Sequence, residues 1–376
     1  MPVMRTLILA AAFFLAANAS DTPRLALHLR AVRTWKALPP QEHSRIQAEY
    51  LAWIDARVKA HESLKDMTAE LRAAGILAEH SSDATVEMDR SYMGYVDPPG
   101  ESRIRGAEDV FAVAAATYRN ANCGRDVTGI LYDRKTLARL GWVNGGIESS
   151  EYPFYLSSLA VGEKDASGGR IVASGWVISN CTSTWNGKSI RIDRMDGKST
   201  VNLLSRGIWA HDREDETISS WVRGDTVTFF YSGGLGDADL PETPSIARYR
   251  IANGRAVHQP PIALTRAGFI REWLTLEDID PSDYATAKAV AIRAKLGRSL
   301  EEVTFQWDSV ARCPAAPPVW EIGLRIDKPP QTVVFRISGE RVTQLHMIGI
   351  STGPTPSCKS VDISKSLETV GSELPW

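Results

Sequence analysis

The stretch from Arg170 to Tyr231 constrains the fold most, because three Gly-containing dipeptides punctuate runs of Val, Ile, Thr, Phe and Trp. Asn186-Gly187 and Asp196-Gly197 suit hairpin turns in which both central residues need positive φ, and Gly224-Asp225 suits one in which only the first does. A turn at 186 and 187 pairs Trp185 with Lys188 and Cys181 with Ile192, and a turn at 196 and 197 pairs Ile192 with Val201. Side chains alternate with period two, so Cys181, Ile190, Ile192, Val201 and Leu203 are expected on one face. The third turn sets Ile218 against Tyr231 and Val222 against Val227. Turn chemistry and hydrophobic pattern agree, and the expectation is an antiparallel meander.

Strand signals extend this body in both directions. Val127 to Tyr132, Phe154 to Val161 and Arg170 to Ser179 read as strands before it, and Val110 to Tyr118 is ambiguous between helix and strand because of its alanine run. After it come Arg206 to Ala210, Thr217 to Val222, Thr226 to Tyr231 and Ser245 to Ile251, then an Asn253-Gly254 turn into Arg255 to His258. Two groups of strands, 154 to 204 and 206 to 258, have the spacing of propeller blades, with a β-sandwich or an irregular barrel as equal alternatives.

Helical spacing marks both flanks. Leu25, Leu29, Val32 and Trp35, and after Pro39-Pro40 the residues Ile46, Tyr50, Ile54 and Val58, make one stripe. Asp280-Pro281-Ser282-Asp283 opens a second helix, which Gly297 is expected to close. Strands then return at Val303 to Trp307, Trp320 to Ile326, Thr332 to Ile337 and Arg341 to Ile350, and the tail after Cys358 is expected to be poorly ordered. The fold class is therefore mainly β with α additions: an antiparallel β meander body, propeller-like or sandwich, an N-terminal helical segment and a small C-terminal α+β module. The expected divisions are 1–19, 20–80, 81–274, 275–362 and 363–376.

Arg5, the apolar run Leu7 to Ala17 and Ala17-Asn18-Ala19 form an export signal with cleavage after Ala19. Export to a secreted or periplasmic location implies an oxidising compartment, where four Cys are expected as bridges, Cys123 with Cys181 and Cys313 with Cys358. No later run reaches the roughly 20 apolar residues of a membrane span. A net charge of -2 offers phosphate backbones no attraction and argues against a nucleic-acid partner.

Local catalytic motifs fail in context. Gly349-Ile350-Ser351-Thr352-Gly353 has the spelling of a nucleophile elbow, but Pro354 and Pro356 follow where a helix is required. Gly187-Lys188-Ser189 and Gly197-Lys198-Ser199 lack the upstream Gly of a phosphate loop, and Arg223-Gly224-Asp225 reads as a turn. His61-Glu62 lacks the second His of a zinc helix, and no metal site or cofactor is expected beyond a weak Ca²⁺ option at Asp237, Asp239 and Glu242. Function is placed in two acidic loops, with His211, Asp212, Asp237 and Asp239 as ligand-binding candidates. Trp221, pointing to the face opposite Ile218 and Val222, is either packed between two layers, the favoured reading, or exposed to bind a ligand. The leading expectation is a non-catalytic binding or interaction module with a glycan or an envelope protein as partner. The alternative is a secreted polysaccharide hydrolase, in which two loop carboxylates about 5–9 Å apart supply acid and base or nucleophile.

Overall fold

The computed structural model describes residues 40–60, 65–66, 69–70, 100–102, 104–120, 124–144, 154–178, 185–197, 199–211, 218–233, 243–275, 279–300, 305–327, 330–366, 368 and 370. The export signal, the stripe residues Leu25 to Trp35, and Cys123 and Cys181 lie outside them. The chain divides into two compact units, residues 1–183 with 193–202, and residues 184–192 with 203–376.

The first unit holds helix α1 (Pro40–Lys59) and strands β1 (Gly100–Ser102), β2 (Arg105–Gly106), β3 (Val110–Asn120), β4 (Gly124–Asp133), β5 (Arg139–Asn144), β6 (Phe154–Val161) and β7 (Arg170–Ile178). The expected helical stripe is present: Tyr50, Trp53, Ile54 and Val58 are buried on one face of α1, which lies against β3. The ambiguous segment from Val110 is a strand, because its alternate residues Val110 and Ala112 enter a core with Val127, Leu131 and Val143 of the neighbouring strands. One sheet has the order β1-β3-β4-β5. A second begins β2-β6-β7 and continues through β8 (Trp185–Met195) and β9 (Thr200–His211).

β8 corrects the opening expectation. The chain does not turn at Asn186-Gly187; it runs straight through them as strand. Ile190 and Ile192 are buried, and so are Ser189 and Asp193 between and beside them. A strand covered on both faces and paired at both edges outweighs a local turn preference. The next hairpin is present but shifted: the Asp196 amide donates to the Ser199 carbonyl at 3.3 Å, and Asn202 donates to the Asp193 carboxylate at 3.0 Å. It therefore closes between 196 and 199, one position later than expected, and Val201 is 52% exposed rather than buried.

β2 joins β6 in parallel, with Gly106 opposite Val161. Gly106 has φ 108°, and a Cβ there would lie 2.2 Å from the Val161 carbonyl oxygen. Gly106→Ala is expected to cost about 1–3 kcal/mol, read as a lower urea midpoint of the first unit; an unchanged midpoint would show that this crossing is dispensable.

The second unit carries β10 (Ser219–Arg223), β11 (Thr226–Gly233), β12 (Thr243–Ala252) and β13 (Arg255–Gln259) in sequential order. Val222 pairs with Val227 as the Gly224-Asp225 turn requires, and Gly224 takes φ 58°. Asn253 and Gly254 both have positive φ, and Ala252 pairs with Arg255 across them. Helix α2 (Arg266–Thr275) follows, capped by Thr265, whose hydroxyl accepts from the Gly268 amide at 2.9 Å.

The helix expected at 280–297 is split. Asp280 caps a single 3₁₀ turn at Pro281–Tyr284, Ala285 is extended and bridges Met347, and α3 (Ala287–Leu300) then runs past Gly297. The last sheet has five strands rather than four, β14 (Phe305–Cys313), β15 (Val319–Asp327), β16 (Pro330–Ser338), β17 (His346–Ser351) and β18 (Lys359–Val361), in the order β17-β16-β15-β14-β18. The segment after Cys358 thus supplies an edge strand, and Val370 is buried with its amide on the Leu264 carbonyl at 2.9 Å. Phe269, Ile270 and Trp273 of α2, Ala289 of α3, and Ile322, Leu324, Phe335, Ile337 and Met347 of the sheet share one core. Mainly β structure in several antiparallel sheets, with few helices, is the fold class expected from the sequence.

Candidate functional site

The residues singled out in the sequence do not assemble into a described site. His211 ends β9, with its side chain outside the described set. Asp212, Asp237, Asp239 and Glu242 lie outside the described residues, so the Ca²⁺ option and the loop-carboxylate pair are not on view. Trp221 sits in β10 opposite Thr228, half-buried. Ser351 ends β17 and donates to the Gly353 carbonyl at 2.8 Å, with turns rather than a helix after it. Lys188 and Ser189 are buried inside β8, so Gly187-Lys188-Ser189 is neither a phosphate loop nor the hairpin turn expected of it.

Among the described residues of the second unit two carboxylates are buried, and both are held by neighbours. Glu272 on α2 receives Nε and Nη2 of Arg271 at 3.0 and 2.5 Å and Nη2 of Arg206, from β9, at 2.9 Å. Arg206 also reaches the hydroxyls of Tyr231 and Tyr249 at 3.3 and 3.4 Å, and Arg271 donates to Ser245. Burial alone would raise the Glu272 carboxyl, but the guanidiniums of Arg271 and Arg206 outweigh it and hold the group below its ordinary value. Burial pushes the Tyr231 hydroxyl up to about 12. With the Glu272 carboxyl held down and the Tyr231 hydroxyl pushed up, this arrangement suits a scaffold and not proton transfer.

Glu321 is the second. It faces away from the core on β15, accepts from the amide of Thr355 at 2.9 Å and from its hydroxyl, and lies 3.2 Å from Nε of Arg336. Beside it Cys313 is bridged to Cys358, the pairing expected from sequence. Ligand atoms of Cys313, Cys358 and Glu321 come within 4.8 Å of one another. With the sulfurs bonded to each other and the carboxylate engaged by Thr355, the trio clamps the 352–358 loop to the sheet rather than presenting metal ligands.

The clamp builds a cavity at the rim of that sheet. It has a volume of about 380 Å³ and is lined by Arg312, Cys313, Pro314, Ala315, Ser357, Lys359 and Val361. The register explains the set: Arg312 pairs with Lys359, and Val310 with Val361, so Arg312, Lys359 and Val361 share one face. Trp320 pairs with Arg312 from the other side, and its ring carries the guanidiniums of Arg266 at 4.0 Å and Arg312 at 5.8 Å. Burial first, then the like charge of Arg312, lowers the Arg266 guanidinium from its ordinary value.

Asp165 of the first unit serves turn chemistry. Asp165 accepts from the amides of Ser167 and Gly169 and from Arg194 at 2.7 Å; the Ser167 hydroxyl and then Arg194 hold its carboxyl well below the usual range. Among the described residues, no helix is long and apolar enough to cross a membrane.

No family model matches the chain, and no curated protein matches it. Among solved structures, a mutant α-L-arabinanase from Cellvibrio cellulosa aligns with 72% of this chain and 82% of its own, at 9% identity and a TM-score of 0.23. A likeness at that score carries no argument about fold or activity.

Proposed function

We propose that the chain is a non-catalytic, exported binding module whose ligand site is the rim cavity beside Cys313, within the α+β module proposed at 275–362. One observation carries the reading. The buried carboxylates of the second unit are matched internally, whereas Arg312 and Lys359, facing each other across β14 and β18 at a cavity of about 380 Å³, have no carboxylate partner among the described residues. Like charges placed directly opposite in a sheet are destabilising, so their retention at a concave surface favours a recognition role. The Cys313–Cys358 bridge supports an oxidising compartment.

The test is a ligand screen of the mature chain by thermal unfolding, run beside a polysaccharide depolymerisation assay. Small organic, glycan and peptide ligands are compared with the Ala315→Trp variant, which fills the cavity. A bound ligand at about 100 times its dissociation constant is expected to add about 2.7 kcal/mol to the native chain and to lose that effect in the variant. Polysaccharide turnover abolished by Asp212→Asn or Asp237→Asn would overturn the reading in favour of a hydrolase.

A further inference from the structure

We infer that the rim cavity takes a compact organic carboxylate: one anionic head seated between Arg312 and Lys359, with an apolar body against Pro314, Ala315 and Val361. The inference rests on the binding-module reading and deepens it by naming the ligand class.

Charge selects the head. Arg312 and Lys359 are cross-strand partners, and neither has a hydrogen bond or ion pair to a carboxylate among the described residues. The lining adds one hydroxyl, that of Ser357, and no carboxylate among the described residues. Outside the lining, Nε1 of Trp320 and Nε of Arg266 are buried without hydrogen-bond partners among the described residues. Glu368, whose charge acts on Arg266, is itself paired with Lys365 at 2.6 Å. An anion between the two cations converts their mutual repulsion into two attractions. A guanidinium fork matches a carboxylate in two parallel hydrogen bonds, and an ammonium beside it contributes a point charge.

The lining selects the body. Pro314, Ala315, Val361 and the Cys313–Cys358 bridge are apolar, and the cavity volume of about 380 Å³ suits a ligand of roughly one ring. A free phosphate would meet the cations and leave this surface wet. A neutral apolar molecule would fill it and leave the cations opposed. A carboxylate with a short apolar body meets both demands. The bridge holds the two walls, the end of β14 and the start of β18, at fixed separation, so the site is formed before the ligand arrives.

Isothermal titration of the mature chain with benzoate, benzamide and inorganic phosphate tests this. Benzoate is expected to bind one per chain, at least about tenfold more tightly than benzamide or phosphate. Arg312→Gln and Lys359→Gln are each expected to weaken benzoate about tenfold while leaving benzamide unchanged, since each removes one charge-assisted contact. Both positions are exposed, so the variants fold; Ala315→Trp abolishes benzoate binding with both cations kept. Equal affinity for benzoate and benzamide, indifferent to both charge variants but lost in Ala315→Trp, overturns the ligand class and leaves the cavity as a binding site. Benzoate binding that survives Ala315→Trp overturns both. Phosphate binding as tightly as benzoate overturns the role given to the apolar wall.

Discussion

Glu272→Gln lowers the stability of the second unit by about 3–5 kcal/mol, the largest effect expected of any single charge among the described residues. The Glu272 side chain is 3% exposed, and the substitution leaves the guanidiniums of Arg271 and Arg206, 8% and 15% exposed, without their counter-charge. The two guanidiniums then keep the neutral hydroxyls of Tyr231, Tyr249 and Ser245 as partners but lose this carboxylate. The pH dependence has a definite sign. The folded carboxyl titrates below its ordinary value of 4.5, so its contribution is fully present above that value and is lost as pH falls through the lower folded one. Urea midpoints measured from pH 7 to pH 3 should therefore fall below about pH 4.5 in the wild type, and the Gln variant should start lower and fall less. Parallel wild-type and variant curves would contradict the assigned role of the ion pair.

Replacing Cys313 and Cys358 together by Ser destabilises the second unit by about 4 kcal/mol, the loop-closure value for a sequence separation of 45 residues. The consequence is also local. Without the bridge, the 352–358 loop is held to the sheet by Thr355 on Glu321, and the short strand β18 loses its covalent tie to β14. Hydrogen exchange should accelerate across 355–361 well before the rest of the unit opens. Equal exchange in both proteins would mean that the strand pairing alone shapes the rim.

The meander body was legible where the controlling chemistry is local. Phe154 to Val161 is a strand with those bounds, and the turns at Gly224 and at Asn253-Gly254 set the observed pairings, because positive φ at Gly or Asn is a property of a few adjacent residues. Asn186-Gly187 failed for a non-local reason: Ser189 and Asp193 are buried as completely as Ile190 and Ile192, and nothing nearby in sequence announces that second covered face. Helix α2 was missed because Ala267 through Leu274 are all buried, which erases the amphipathic stripe that periodicity detects; Thr265 as a cap was the one available sign. Its adjacent Arg271 and Glu272 pair with each other in the fold.

The rim cavity was less legible still. Arg312 and Lys359 stand far apart in sequence, and only antiparallel pairing of β14 with β18 and the Cys313–Cys358 bridge bring them together. The bridge itself was expected from the sequence, but its consequence was not. The sequence points instead to His211, Asp212, Asp237 and Asp239, because acidic loops between strands advertise themselves in one dimension.

Hydrogen-exchange mass spectrometry of the chain, with and without the tightest ligand from the screen, addresses the site most directly. The account predicts slower exchange confined to 310–315 and 357–361, absent in Ala315→Trp. Protection appearing instead across 211–217 or 234–242, with the rim unchanged, would contradict it.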